Sequence, residues 1–141
     1  MMNELHVAVA TLTVRVLAGM LFAFQGYDKV FKTGMNSLQS AIRATLGEKR
    51  IPAGITRLIA FTTSWIELVC GVLLIVGLFT PWAIYLLCLD LIIVSAGFSY
   101  AKTMWDTNHV MFRLMLLIFL LLVPETQFCI SLDTLIGIGT D

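Results

Sequence analysis

Residues 57–101, RLIAFTTSWIELVCGVLLIVGLFTPWAIYLLCLDLIIVSAGFSYA, hold two apolar runs joined by Thr80 and Pro81, with one acid inside each, Glu67 and Asp90. A helix needs about 20 mostly apolar residues to cross roughly 30 Å of hydrocarbon, and both runs reach that length. So short a connection makes them antiparallel neighbours. Pro81 suits the first helical position, where its missing N–H would be unpaired in any case. Outward from this pair, comparable runs occupy 9–31 and 109–130. The expected architecture is all-α: one integral membrane four-helix bundle over residues 1–141, with spans at about 9–31, 57–79, 81–101 and 109–130.

Composition agrees. The 141 residues are 59% hydrophobic and 13% charged, against about 45–50% and about 25% in soluble domains. Nine Lys/Arg balance nine Asp/Glu, so no basic excess argues for nucleic acid. Residues 1–6 carry Glu4 and no Lys or Arg, and no small-residue cleavage site follows the first run, which is therefore read as a retained helix and not a signal peptide.

Residues 32–56 form the one long connection. Met35, Leu38, Ile42 and Leu46 recur at helical spacing, with Arg43, Glu48, Lys49 and Arg50 off that stripe or beyond it. This predicts a short amphipathic helix ending at Gly47, either lying at the membrane interface or exposed as a connector. Lys29, Lys32, Arg43, Lys49, Arg50, Arg57, Lys102 and Arg113 cluster around the connections after spans one and three, while Arg15 alone lies towards the other side. By the positive-inside rule both termini face the periplasm or exterior. Trp82 at one interface, with Tyr100 and Trp105 at the other, suits aromatic belts.

The informative residues are the ions within the runs. Glu67 and Asp90 each lie roughly 14 Å along their spans at about 1.5 Å per residue. Each such charge costs about 2.5–3.5 kcal/mol at a helix centre. The thirteen Leu, Ile, Val and Phe of residues 58–79 return roughly 4–8 kcal/mol on the same scale. The nine of span three return only roughly 3–5 kcal/mol, so that span depends on its neighbours. Both acids must then face a bundle interior. Arg15, Gly19, Phe22, Gly26 and Lys29 form one helical stripe. Thr63, Glu67, Gly71 and Leu74 form a second, with Gly77 close by; Leu86, Asp90, Val94 and Gly97 form a third, and His109, Arg113, Leu116 and Leu120 a fourth. Small residues beside the charges permit close helix contact. The expected cluster is Arg15, Glu67, Asp90 and Arg113, with Arg15 reaching towards either acid and Arg113 approaching from the other side.

Other chemistries find little support. Cys70, Cys88 and Cys129 are too dispersed for a local dithiol. His6 and His109 fall on opposite faces, roughly 30 Å apart, and cannot ligate one haem together. No Ser–His–Asp arrangement, phosphate-binding glycine loop or metal-ligand cluster is readable; Gly137 and Gly139 lie in a tail.

Taken in order, Arg15-x3-Gly19, Gly26-Tyr27-Asp28-Lys29, Glu67-Leu68-Val69-Cys70-Gly71, Leu73 to Thr80 and Ser131-Leu132-Asp133 resemble the DoxX family of small bacterial four-helix membrane proteins. The likeness runs along nearly the whole chain. Pro81 stands where a basic residue is expected after Thr80, and Asp90 lies outside the pattern. The resemblance implies motif positions at Gly19, Gly26, Lys29, Gly71, Gly77 and Asp133, besides Arg15 and Glu67. It also implies a bacterial inner membrane and a subunit of a membrane oxidoreductase, such as a thiosulfate–quinone enzyme or a partner of superoxide- or thiol-handling enzymes.

The leading expectation is an accessory subunit with no covalent cofactor and no redox centre of its own, holding a quinone near Arg15, Glu67 and Asp90. Electron transfer would then require a partner, either another membrane or redox subunit or a second copy of the chain. Two alternatives stand beside it: an assembly subunit whose buried charges only fix helix packing, and a small proton-coupled transporter.

Overall fold

A computed structural model describes residues 2–46, 52–101 and 108–124. Among them the chain is helical throughout, with no strand. The first helix, α1 (Met2–Tyr27), continues into a π-helical segment, Asp28–Thr33. Then follow α2 (Met35–Leu46), α3 (Ala53–Val76), α4 (Thr80–Ala101) and α5 (Asn108–Leu122). Leu5–Thr33 and Gly54–Val76 are long and apolar enough to cross a membrane; the apolar stretches Thr80–Ala96 and Val110–Leu122 are shorter. The helix expected over 109–130 stops at Leu122, two residues before Pro124, and 125–130 lie outside the described residues.

The exterior is apolar, while ionisable and hydroxyl groups share the interior with the apolar core. Phe24, Phe61, Trp82, Met115 and Leu122 are exposed, whereas Arg15, Thr56, Ser64, Glu67 and Asp90 are buried. Water would favour the opposite arrangement. Hydrocarbon outside and satisfied polar groups inside is what a bilayer demands, and the chain is a membrane protein by this distribution and its apolar helices.

The tightest packing joins α1 to α3, which run antiparallel. A Cβ on Gly19 would come 2.8 Å from the Gly71 carbonyl oxygen and from Ile75 Cγ1; on Gly26 it would meet the Leu68 backbone, and on Gly71 the Ala23 backbone. Missing side chains here let two backbones touch, the usual source of helix affinity where lipid removes the hydrophobic drive.

Between α3 and α4 the chain reverses over Gly77, Leu78 and Phe79. Gly77 adopts φ 76°, ψ 39°, and both its N–H and that of Leu78 donate to the Leu73 carbonyl, at 2.8 and 3.0 Å, closing the last turn of α3. Phe79 also has positive φ, 49°, and its carbonyl accepts the Ala83 N–H at 3.0 Å. Helix α4 thus opens at Thr80, one residue before the expected start. Pro81 falls second but still within the first turn, where no N–H is needed.

The amphipathic helix expected in the 32–56 connection is α2. It packs against α3, α4 and the π-helical segment, with Leu38 and Ile42 half-buried and Asn36, Ser37 and Ser40 exposed. It therefore rests its apolar edge on the bundle at the end where α1 finishes and α3 begins. Gly47, its expected stop, lies outside the described residues, as do Glu48, Lys49 and Arg50.

Candidate functional site

Glu67 lies nine residues before the end of α3 and Asp90 ten after the start of α4. Antiparallel packing around a short turn places both at one depth, about 15 Å from that turn. Each is 1% exposed. Both acids thus face the bundle interior, where the sequence places them.

The basic residues differ from expectation. Lys29 Nζ donates to Glu67 Oε2 at 2.6 Å, a short charge-assisted hydrogen bond. Arg15, although 3% exposed, sits at the other end of α3: a Cβ on Gly77 would lie 2.9 Å from Arg15 Nη2. That places a cation against the C-terminal turn of α3, where helix carbonyls lack partners and a positive charge is favoured. Ten residues, about 15 Å of helix rise, separate this position from Glu67. The expected Arg15–acid pairing is therefore corrected. The cause is register. The glycine contacts slide α1 along α3 by about five residues relative to spans set flush at 9–31 and 57–79, roughly 7 Å. The slide moves Arg15 to the turn and brings Lys29 within reach of Glu67.

Arg113 does approach Glu67. Its guanidinium carbon lies 5.8 Å from the Phe22 ring centroid, in cation–π range, and within electrostatic reach of Glu67. Asp90 feels both Glu67 and Lys29, and Cys70 lies within the field of Asp90. Yet neither Asp90 carboxyl oxygen has a hydrogen-bond partner among the described residues. Two acids and two bases thus gather around Glu67, with one acid paired and the other without a hydrogen-bond partner among the described residues. A bare buried carboxyl is costly and is unusual in folded proteins.

The four expected stripes fare unequally. Arg15, Gly19, Phe22 and Gly26 are buried and Lys29 is half-buried; Thr63, Glu67, Gly71, Leu74 and Gly77 are all buried. On α4 the inward residues are Ala83, Leu87, Asp90 and Leu91, while Leu86 is exposed and Val94 half-buried. On α5 Val110, Leu117 and Leu120 face in, with Arg113 and Leu116 half-buried. Gly97 and His109 are helical, but their side chains, like all of Trp105 and Asp133, lie outside the described residues. The pairing of Lys29 with Glu67 was the contact missed. Its signal was the place of Lys29 at the end of the Arg15 stripe. Among the described residues no group of three His, Cys, Asp or Glu side chains is placed to hold a metal ion.

A family model described as DoxX matches residues 10–101, which takes in most of α1 and all of α2 to α4, and so both acids and Lys29. No curated protein and no solved structure matches the chain.

Proposed function

The chain belongs to the DoxX family, and from that membership we propose that it is a four-span inner-membrane subunit, both termini outside, that serves a membrane oxidoreductase by holding a quinone head group beside Asp90. The observation that carries this reading is the Asp90 carboxyl, 1% exposed and without a hydrogen-bond partner among the described residues, next to the Lys29–Glu67 pair. Intramembrane ions are functional candidates by default, and packing alone gives no reason to keep an unsatisfied acid.

The residues suit such a group. A protonated Asp90 can donate to a carbonyl oxygen and, once ionised, accept a proton back. Arg113 and Lys29 supply positive potential where negative charge would develop. Phe22, Cys70 and Leu91 belong to one apolar cluster around these ions, of the kind that lines sites for flat apolar ligands. When bound, a quinone supplies the electron-accepting chemistry, with electrons coming from a partner subunit. The protein's own part is to bind, to orient and to hold a proton at Asp90.

Mild-detergent purification with lipid extraction and mass spectrometry tests this. Co-purifying quinone and redox subunits are expected, with quinone lost from Asp90→Asn and turnover of the partner lost from Glu67→Gln. Assembled variants that keep both quinone and turnover would leave the charges as packing elements only.

A further inference from the structure

The interior of the bundle changes character at the acid pair. Towards the α3–α4 turn it is filled by Phe22, Leu74, Ala83, Ile84, Leu87 and Leu120. Towards the α2 end, the buried positions of α3 before Glu67 are Thr56, Ala60, Thr63 and Ser64, none with a side chain larger than threonine, and α5 adds only Val110 among the described residues. Nor does α4 bury any of residues 92–96.

These buried positions follow one helical stripe that leads to Glu67. Thr63 donates to the Ile59 carbonyl at 2.9 Å, Ser64 to that of Ala60 at 2.7 Å, and Thr56 to that of Pro52 at 3.2 Å. With the hydroxyl protons so engaged, the Thr63 and Ser64 oxygens keep lone pairs able to accept from water. Lys29, its side chain 20% exposed, stands where this track meets Glu67. On the opposite side Phe22, Leu74, Leu87 and Leu120 fill the space between Glu67 and the buried Arg15 and Thr80 nearer the turn, and a site must be polar as well as roomy to hold water.

We propose that water and protons reach the Glu67–Asp90 pair from the α2 end alone, along the track of Thr56, Thr63 and Ser64, while the apolar plug seals the end nearest the α3–α4 turn. The use of this route for proton delivery rests on the reading of the acid pair given above; the one-sided access does not. Helix α2, packed across α3 and α4 at that end, lies at the entrance.

Thiol labelling in sealed vesicles tests it. In a chain carrying Cys70→Ala, Cys88→Ala and Cys129→Ala, the exposed Ser40→Cys on α2 reports which side a water-soluble maleimide has reached. Ser64→Cys and Thr63→Cys are expected to react from that side at least about tenfold faster than Leu74→Cys or Leu87→Cys do from either side, since labelling needs a solvated thiolate. Equal rates, labelling of Ser64→Cys from the opposite side, or no labelling where Ser40→Cys reacts would each overturn the proposal. The unaltered chain gives a second measurement: α3 amides of residues 56–67 should exchange before those of 70–76, and the reverse order would also overturn it. Quinone retention, measured on the same preparations, separates the two ideas: its loss with labelling intact removes the quinone site and leaves the water route standing.

Discussion

Lys29 Nζ sits 2.6 Å from Glu67 Oε2, so a cation on the π-helical extension of α1 neutralises an acid buried within α3. π-helical turns are rare and concentrate at functional sites. Here the wide turn carries Lys29, which meets the buried acid. Removing one partner of a buried pair costs about 3–5 kcal/mol, because the other charge is left uncompensated. Lys29 keeps some exposure, so Lys29→Met is expected near the lower end of that range. Adding Glu67→Gln to Lys29→Met should restore most of the loss, and Lys29→Arg should lose less than Lys29→Met. Unfolding midpoints in mixed micelles measure all three. An unchanged midpoint for Lys29→Met would show that the pair contributes nothing.

Asp90 poses the opposite case. Its carboxyl is buried and has no hydrogen-bond partner among the described residues, and an unsatisfied buried polar group costs about 1–3 kcal/mol. Asp90→Leu should therefore raise the unfolding midpoint while abolishing the partner's quinone-dependent turnover. Asp90→Asn keeps an unsatisfied polar group and should gain little stability. Stability gained together with activity lost is the mark of a residue retained for function; a destabilised Asp90→Leu would instead make the acid part of the packing.

Gly71 and Gly54 offer a contrast on one helix. A Cβ at Gly71 meets the backbone of Ala23, whereas one at Gly54 meets nothing within 4 Å. Backbone cannot swing aside as a side-chain tip can, so Gly71→Ala must push α1 from α3, a change of the overpacking kind that costs about 1–3 kcal/mol. Gly54→Ala should be neutral or up to about 1 kcal/mol stabilising, since it only restricts the unfolded chain. Thermal inactivation of the two variants side by side checks the close approach of the helices, and equal behaviour would refute it.

Which features were legible follows from where the sequence breaks its own symmetry. Spans one and two mix glycine, charge and bulky residues, so their inward stripes stood out and the structure keeps them. Helix α4 carries Asp90 as its one charged residue, and its few hydroxyls, such as Thr80 and Ser95, define no polar face. With no polar face to oppose the buried one, period alone selected Leu86, where packing buries Leu87. The equal depth of Glu67 and Asp90 followed from their spacing about a two-residue connection. The partner of Glu67 did not, because spacing along one helix says nothing of how far a neighbour slides. That slide is set by the backbone contacts at Gly19, Gly26 and Gly71, whose positions were readable but whose register was not.

Arg15 and Gly77 supply the last prediction. Gly77 holds φ 76°, and its missing Cβ leaves room for the Arg15 guanidinium, whose Cζ and Nη1 would each lie 3.0 Å from such an atom. Gly77→Ala then carries two penalties: a left-handed backbone costs a residue with a Cβ roughly 1–2 kcal/mol, and the guanidinium must move. The second disappears when the guanidinium is already gone, so in an Arg15→Ala background Gly77→Ala should cost only its backbone part. Neighbours that share a contact show coupling of about 0.5–3 kcal/mol in such a cycle, and a value within that range is expected from unfolding midpoints of the four proteins. Strict additivity would mean that Arg15 does not rest on the α3 C-terminus, and the register of α1 that brings Lys29 to Glu67 would lose its support at the other end of the helix.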